Sequence, residues 1–188
     1  MAIGLRTRGQ QLFSPNLLNY AAELEPIVTA NLNTAHRILQ SGGRASRDYD
    51  PFASHRQSIE PHAQDDFPQV VDILIDAGRD ILNHFLQSNL QHAVSLMTGW
   101  FASDVPILRR LAIVGFARRT DWSCDQKLAW LVENDLIYQF KTDVFWFLQQ
   151  VYPSATETAR QSLLHSALGG TSLLGKLSRR WKHEAKLT

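Results

Sequence analysis

The run ASDVPILRRLAIVGFARR, residues 102–119, decides the fold class. Ser103 and Asp104 are helix-start residues, and Pro106 suits the first helical position, where its missing N–H is no loss. Ile107, Leu108, Leu111, Ala112, Ile113, Val114 and Phe116 then place apolar side chains on almost every side of one helix. Such a helix must be covered all round, so the segment predicts a helix sandwiched between neighbours. Its densest stretch, Leu111–Ala117, is one or two turns long. That is far short of the ~20 apolar residues a membrane helix needs, and no charge-free run of that length occurs elsewhere.

Working outward, the neighbours read as helices too. Upstream, Asp65 or Asp66 can cap a helix over about Pro68–Leu86, with Val70, Ile73, Leu74, Ala77, Ile81 and Phe85 inward. Ser88 or Asn89 opens the next, to about Phe101. Downstream, Ser123 caps a helix through about Glu133, and Thr142 starts another in DVFWFLQQVY. Ser154 with Glu157 forms a capping-box pattern for a sixth helix that ends at Gly169–Gly170, and Thr171 opens a seventh. At the N-terminus, Ser14–Pro15 starts a helix to about Gln40, stopped by Gly42–Gly43 and kinked or split at Pro26.

Between them, residues 43–67 lose all periodicity. The stretch is polar, carries two prolines and reads as an irregular surface loop or linker. The expectation is an all-α chain of stacked antiparallel helical hairpins, α-solenoid-like, with a plain bundle as the alternative. The domain division expected is an N-terminal helical arm at 1–42, a linker at 43–67 and a helical-hairpin domain at 68–188.

Composition bounds the function classes. The 188 residues are 44% hydrophobic and 20% charged, with a formal net charge of +1, so no global field drives binding to nucleic acid or membrane. A single cysteine, Cys124, excludes an internal disulfide and multi-cysteine metal sites. The N-terminus lacks a run of signal-peptide length, and a cytoplasmic setting is expected.

The pattern Ser103, Pro106, Leu108, Arg109, Arg110, Leu111, Ala112, Ile113 resembles the turn into a new helix in certain large bacterial proteins. These are the C-terminal helical-repeat regions of STAND-type regulatory NTPases and of sirtuin-like NADases linked to anti-phage defence. The likeness spans about residues 58–168. It implies a HEAT-like scaffold or sensor segment of a larger defence or signalling protein. Neither a phosphate-loop motif nor a dinucleotide-binding glycine pattern occurs in the chain, and GGTSLLGKLS at 169–178 has the wrong spacing for one.

Few residues point to chemistry. Glu60, His62, Asp65 and Asp66 in SIEPHAQDD suggest a metal or acid–base cluster, but capping and solvation of a helix start explain them as well. Asp72, Asp76, Arg79 and Asp80 read as an ordinary ion-paired surface stripe. Cys124 at a helix start lacks a nearby histidine to activate it. Trp122, Trp130, Tyr138, Phe140, Phe145, Trp146, Phe147 and Tyr152 read as a core in which one of Phe145, Trp146 and Phe147 is exposed. Basic residues gather at Arg109, Arg110, Arg118 and Arg119, and again at Arg179, Arg180 and Lys182 around Trp181.

The reading that follows is a non-enzymatic interaction module or scaffold without cofactor or metal. Its partner is another protein or other domains of a larger chain. The alternative is a nucleic-acid-associated helical domain using the basic C-terminal helix. The candidate contact surface comprises Glu60, His62, Arg109, Arg110, Arg118, Arg119, Arg179, Arg180, Trp181 and Lys182.

Overall fold

The computed structural model describes residues 19–61 and 70–169. Every regular element in them is helical, and the all-α expectation holds. Contacts divide the chain into two compact units, one through Arg119 and one from Thr120. The expected boundary at 67 lies outside the described residues. Helix 21–41 and residues 44–61 of the polar segment both belong to the first unit.

That unit holds α1 (Ala21–Ser41), α2 (Pro51–His55), α3 (Val70–Ser88), α4 (Leu90–Phe101) and α5 (Pro106–Arg118). Helix α5 is its core: of residues 106–117 only Arg109 is not fully buried. It packs on α3 and α4, and α1 lies on α3. Gly115 permits the close approach. A Cβ there would come within 2.5 Å of Met97 Sδ and 2.6 Å of a Leu82 methyl.

Local chemistry sets the helix ends. Asn89 alone separates α3 from α4, and its side chain accepts the His92 amide. The Ser103 hydroxyl accepts the Val105 amide, and Pro106 takes the first helical position as read from the sequence. Helix α1 begins after Tyr20, whose carbonyl accepts from Leu24 at 2.9 Å; the expected start at Ser14–Pro15 lies outside the described residues. Pro26 sits within a helix that runs unbroken to Ser41, so the expected split does not occur. Gly43, at φ +69°, then reverses the chain, with Arg44 N–H on the Leu39 carbonyl.

The second unit holds α6 (Cys124–Glu133), α7 (Lys141–Val151), a 3-10 turn (Tyr152–Ser154) and a helix α8 described over 157–169. Ser123 caps α6 as expected, in a full capping box with Gln126. The expected Ser154–Glu157 box does not form, because Ser154 is inside the 3-10 turn. Thr156 takes its place: its amide and hydroxyl both donate to Asp125 at 2.7 Å, and its oxygen receives the Ala159 amide. Leu128, Leu131, Val144, Phe147, Val151 and Leu163 form the apolar interior, with Trp130 stacked on Phe147 at 6.2 Å. The helix expected from Thr171 lies outside the described residues.

Candidate functional site

The polar segment expected to be a surface loop is built into the first unit. Ala45, Asp50, Arg56, Ser58 and Ile59 are all buried, and Pro51–His55 forms a short helix capped by the Asp50 carboxylate. Residues 44–61 act as a strap across α3 and α5. Ile59 supplies an apolar anchor, but charged groups supply most of the hold.

On α3 the stripe Asp72, Asp76, Arg79 and Asp80 is not on the surface. Asp72 is 3% exposed and Asp80 2%. Instead Val70 is 82% exposed and Ile73 also faces out, while Val71, Ile75 and Leu82 point inward. The strap explains this register. Arg56 donates to Asp76 at 2.5 Å and to Asp72 at 3.5 Å, and to the carbonyls of Ser58 and Ile59. Arg79 bonds Asp76 at 2.9 Å, the Ile59 carbonyl at 3.3 Å, and Asp80 through two guanidinium nitrogens. Charges taken out of water are tolerable only when paired and hydrogen-bonded in this way.

The arginines of α5 complete the clamp. Arg109 donates to the Arg47 carbonyl. Burial, with Arg47 beside it, lowers its guanidinium from the ordinary value. Arg110, 3% exposed, donates to the Arg56 carbonyl at 2.8 Å and the Gln57 carbonyl at 2.9 Å. Arg118 bonds Glu60 at 2.8 Å and the Asn83 amide oxygen. Arg119 is buried, its guanidinium 5.9 Å from the Phe116 ring centre. The two Arg-Arg pairs therefore do not form the exposed basic face expected of them: Arg110 and Arg119 are buried, and Arg109, Arg110 and Arg118 grip the strap. Glu60 belongs to the same clamp and is not a free contact residue. His62, Asp65, Asp66, Arg179, Arg180, Trp181 and Lys182 lie outside the described residues. No group of three His, Cys, Asp or Glu among the described residues is placed to hold a metal ion, and no described helix is long and apolar enough to cross a membrane.

In the second unit the aromatic set divides. Phe147 is fully buried, whereas Phe145, two residues earlier on α7, is 63% exposed, as the VFWFL pattern suggested. Phe145 lines an open groove of about 570 Å³ with Ile137, Tyr138, Val144 and Leu148, and Lys141 and Thr142 at its edge. The chain leading into α7 is bent by two residues in the left-handed region, Asp135 (φ 52°) and Phe140 (φ 44°). Asparagine and aspartate tolerate this conformation, but a phenylalanine there stores strain of about 1–3 kcal/mol. The Tyr138 hydroxyl donates to the Ala167 carbonyl on α8, which fixes the ring at the groove wall. The sequence pattern points to one of Phe145, Trp146 and Phe147 as exposed but not to Ile137 and Leu148, which join Phe145 in the groove from either side of this bend.

Comparison with protein-family models, with curated proteins and with solved structures gives no match.

Proposed function

We propose that the chain is a non-enzymatic helical interaction module, its helices stacked as hairpins, in which the apolar groove beside Phe145 receives a helix of a protein partner. The observation that carries this reading is the exposure of Phe145 with Tyr138 beside it in a concave apolar setting. Large exposed apolar side chains gathered in a groove mark contact surfaces more often than they mark solvent-facing structure. Lys141 at the edge suits an acidic residue flanking the apolar anchors of such a helix. The resemblance of residues 102–119 to helical-repeat regions adds the proposal that the partner is a further domain or protein of a bacterial defence or signalling system. The nucleic-acid alternative now rests on the basic C-terminal segment with Arg179, Arg180 and Lys182, since the α5 arginines are engaged within the first unit.

The test is a photo-crosslinking residue placed at position 145 in the intact chain, with the same residue at exposed Gln149 as control. A discrete protein adduct from 145 that is absent from 149, and that disappears when Leu148→Asp is added, supports the reading. No adduct, or the same adducts from both positions, counts against it.

A further inference from the structure

A second concavity lies in the first unit, between α1 and α4. Its volume is about 360 Å³. Helix α1 contributes Glu25, Thr29 and Asn33, one turn apart along one face, and α4 contributes His92, Ser95 and Trp100. Gly99, also in the lining, faces open space, so the α4 wall recedes there.

The polar groups of this cleft are fixed in a definite order. The Trp100 indole N–H donates to Thr29 Oγ1 at 3.0 Å. That hydroxyl has its oxygen occupied and turns its proton to Glu25 Oε1, at 2.8 Å. The Asn33 amide N–H donates to the Thr29 carbonyl at 2.9 Å, which leaves its side-chain oxygen as an acceptor. The Trp100, Thr29 and Asn33 donors beside Glu25 are thus directed at groups of the protein itself, which leaves the carboxylate and the Asn33 oxygen as acceptors on the α1 wall. No lysine or arginine lines it.

Glu25 differs in this from the other sheltered carboxylates of the unit. Asp72, Asp76, Asp80 and Glu60 each face an arginine, and Asp50 faces His36 at 3.3 Å. Glu25 has a hydroxyl partner and, among the described residues, no cation. A half-buried carboxylate held in place by a Trp–Thr relay, facing a cleft lined by no lysine or arginine, is complementary to a positive ligand group. We infer that this cleft binds a small organic cation through an alkylammonium group, seated on the Glu25 carboxylate with the Asn33 oxygen as second acceptor. The site is separate from the Phe145 groove and does not depend on the reading given to that groove.

The experiment follows the Trp100 indole N–H resonance of the full chain while 1,4-diaminobutane is added. The solution is kept at about 0.15 M salt, where charges beyond about 8 Å are largely screened. Nα-acetyl-lysine methylamide forms a second arm, and 1,4-butanediol is the uncharged control. Saturable movement of the Trp100 signal with either amine, and none with the diol, is the expected result. Saturation by the diamine assigns the site to a free amine; saturation by the lysine amide alone assigns it to a lysine side chain of a protein. Glu25→Gln should weaken the binding at least tenfold, and Thr29→Val, which removes the relay but keeps the carboxylate, should weaken it less. Linear, non-saturating shifts with both amines, an equal response to the diol, or unchanged affinity in Glu25→Gln with an otherwise native spectrum would overturn the proposal.

Discussion

Replacing Arg56 by methionine tests whether the strap is held by its buried charges. Methionine keeps most of the length and removes the guanidinium. Asp72 would then lose its guanidinium partner, with His55 at 4.0 Å beside it, while Asp76 would keep Arg79 at 2.9 Å. The Ser58 carbonyl, which Arg56 reaches at 2.8 Å, would lose that donor inside the protein. Removing one partner of a buried pair costs about 3–5 kcal/mol, because the other charge is stranded. Since Asp76 remains paired, the lower end applies, about 3 kcal/mol. In a unit of this size that lowers Tm by roughly 10–15 °C. Urea unfolding followed by far-UV circular dichroism measures the loss, with Arg37→Met on the exposed side of α1 as a control expected within about 0.5 kcal/mol of wild type. Trypsin should also cut after Arg44 and Arg47 faster in the variant. Adding Asp72→Asn should restore about 1 kcal/mol or more by neutralising the stranded carboxylate. A loss below about 1 kcal/mol for Arg56→Met, or no recovery with Asp72→Asn, would refute the view that these charges fasten the strap.

Two further outcomes follow from the packing and from the second unit. Gly115→Ala forces Met97 and Leu82 aside in a filled core and should destabilise by about 1–3 kcal/mol. Gly78→Ala meets a Leu111 methyl at 3.2 Å and gains helix propensity, so the same urea experiment should find it close to neutral. In the second unit, the Thr156 amide, then its hydroxyl, hold the Asp125 carboxyl below its ordinary value. A carboxylate depressed in the folded state stabilises at neutral pH and loses that contribution as pH falls through its folded value. Thr156→Val, which keeps the amide and loses the hydroxyl, should therefore be less stable than wild type at pH near neutral, with the gap narrowing as the solution becomes acidic to the part due to the lost Ala159 cap; a gap that stays constant down to the acid range would contradict the assignment.

What the sequence disclosed and what it hid follow from one physical distinction. Helix α5 was legible because its burial is apolar on every side, and apolar character is a property each residue carries alone. The caps at Asn89 and Ser123 were legible because their partners lie three residues away. The strap was not, because its buried positions are charged, and the partners that make such burial tolerable are distant: Arg56 to Asp76 spans 20 residues, and Arg110 to the Arg56 carbonyl spans 54. Read locally, Asp72 and Asp80 belong on the surface and Val70 and Ile73 inside; the observed register reverses both. A signal did exist in the sequence. The four charged residues of that α3 stripe are three acids and one arginine, which leaves it net negative, and Arg56 from outside the helix is the group that pairs with two of those acids. The two candidate sites differ in the same physical respect. In the first unit Asp72, Asp76, Asp80 and Glu60 each face an arginine, so Glu25, with no cation among the described residues, stands out as a place for a ligand's charge. In the second, Phe147 and Trp130 are matched in the interior while Phe145 stands uncovered in an apolar groove, so a partner there must bring apolar surface rather than charge.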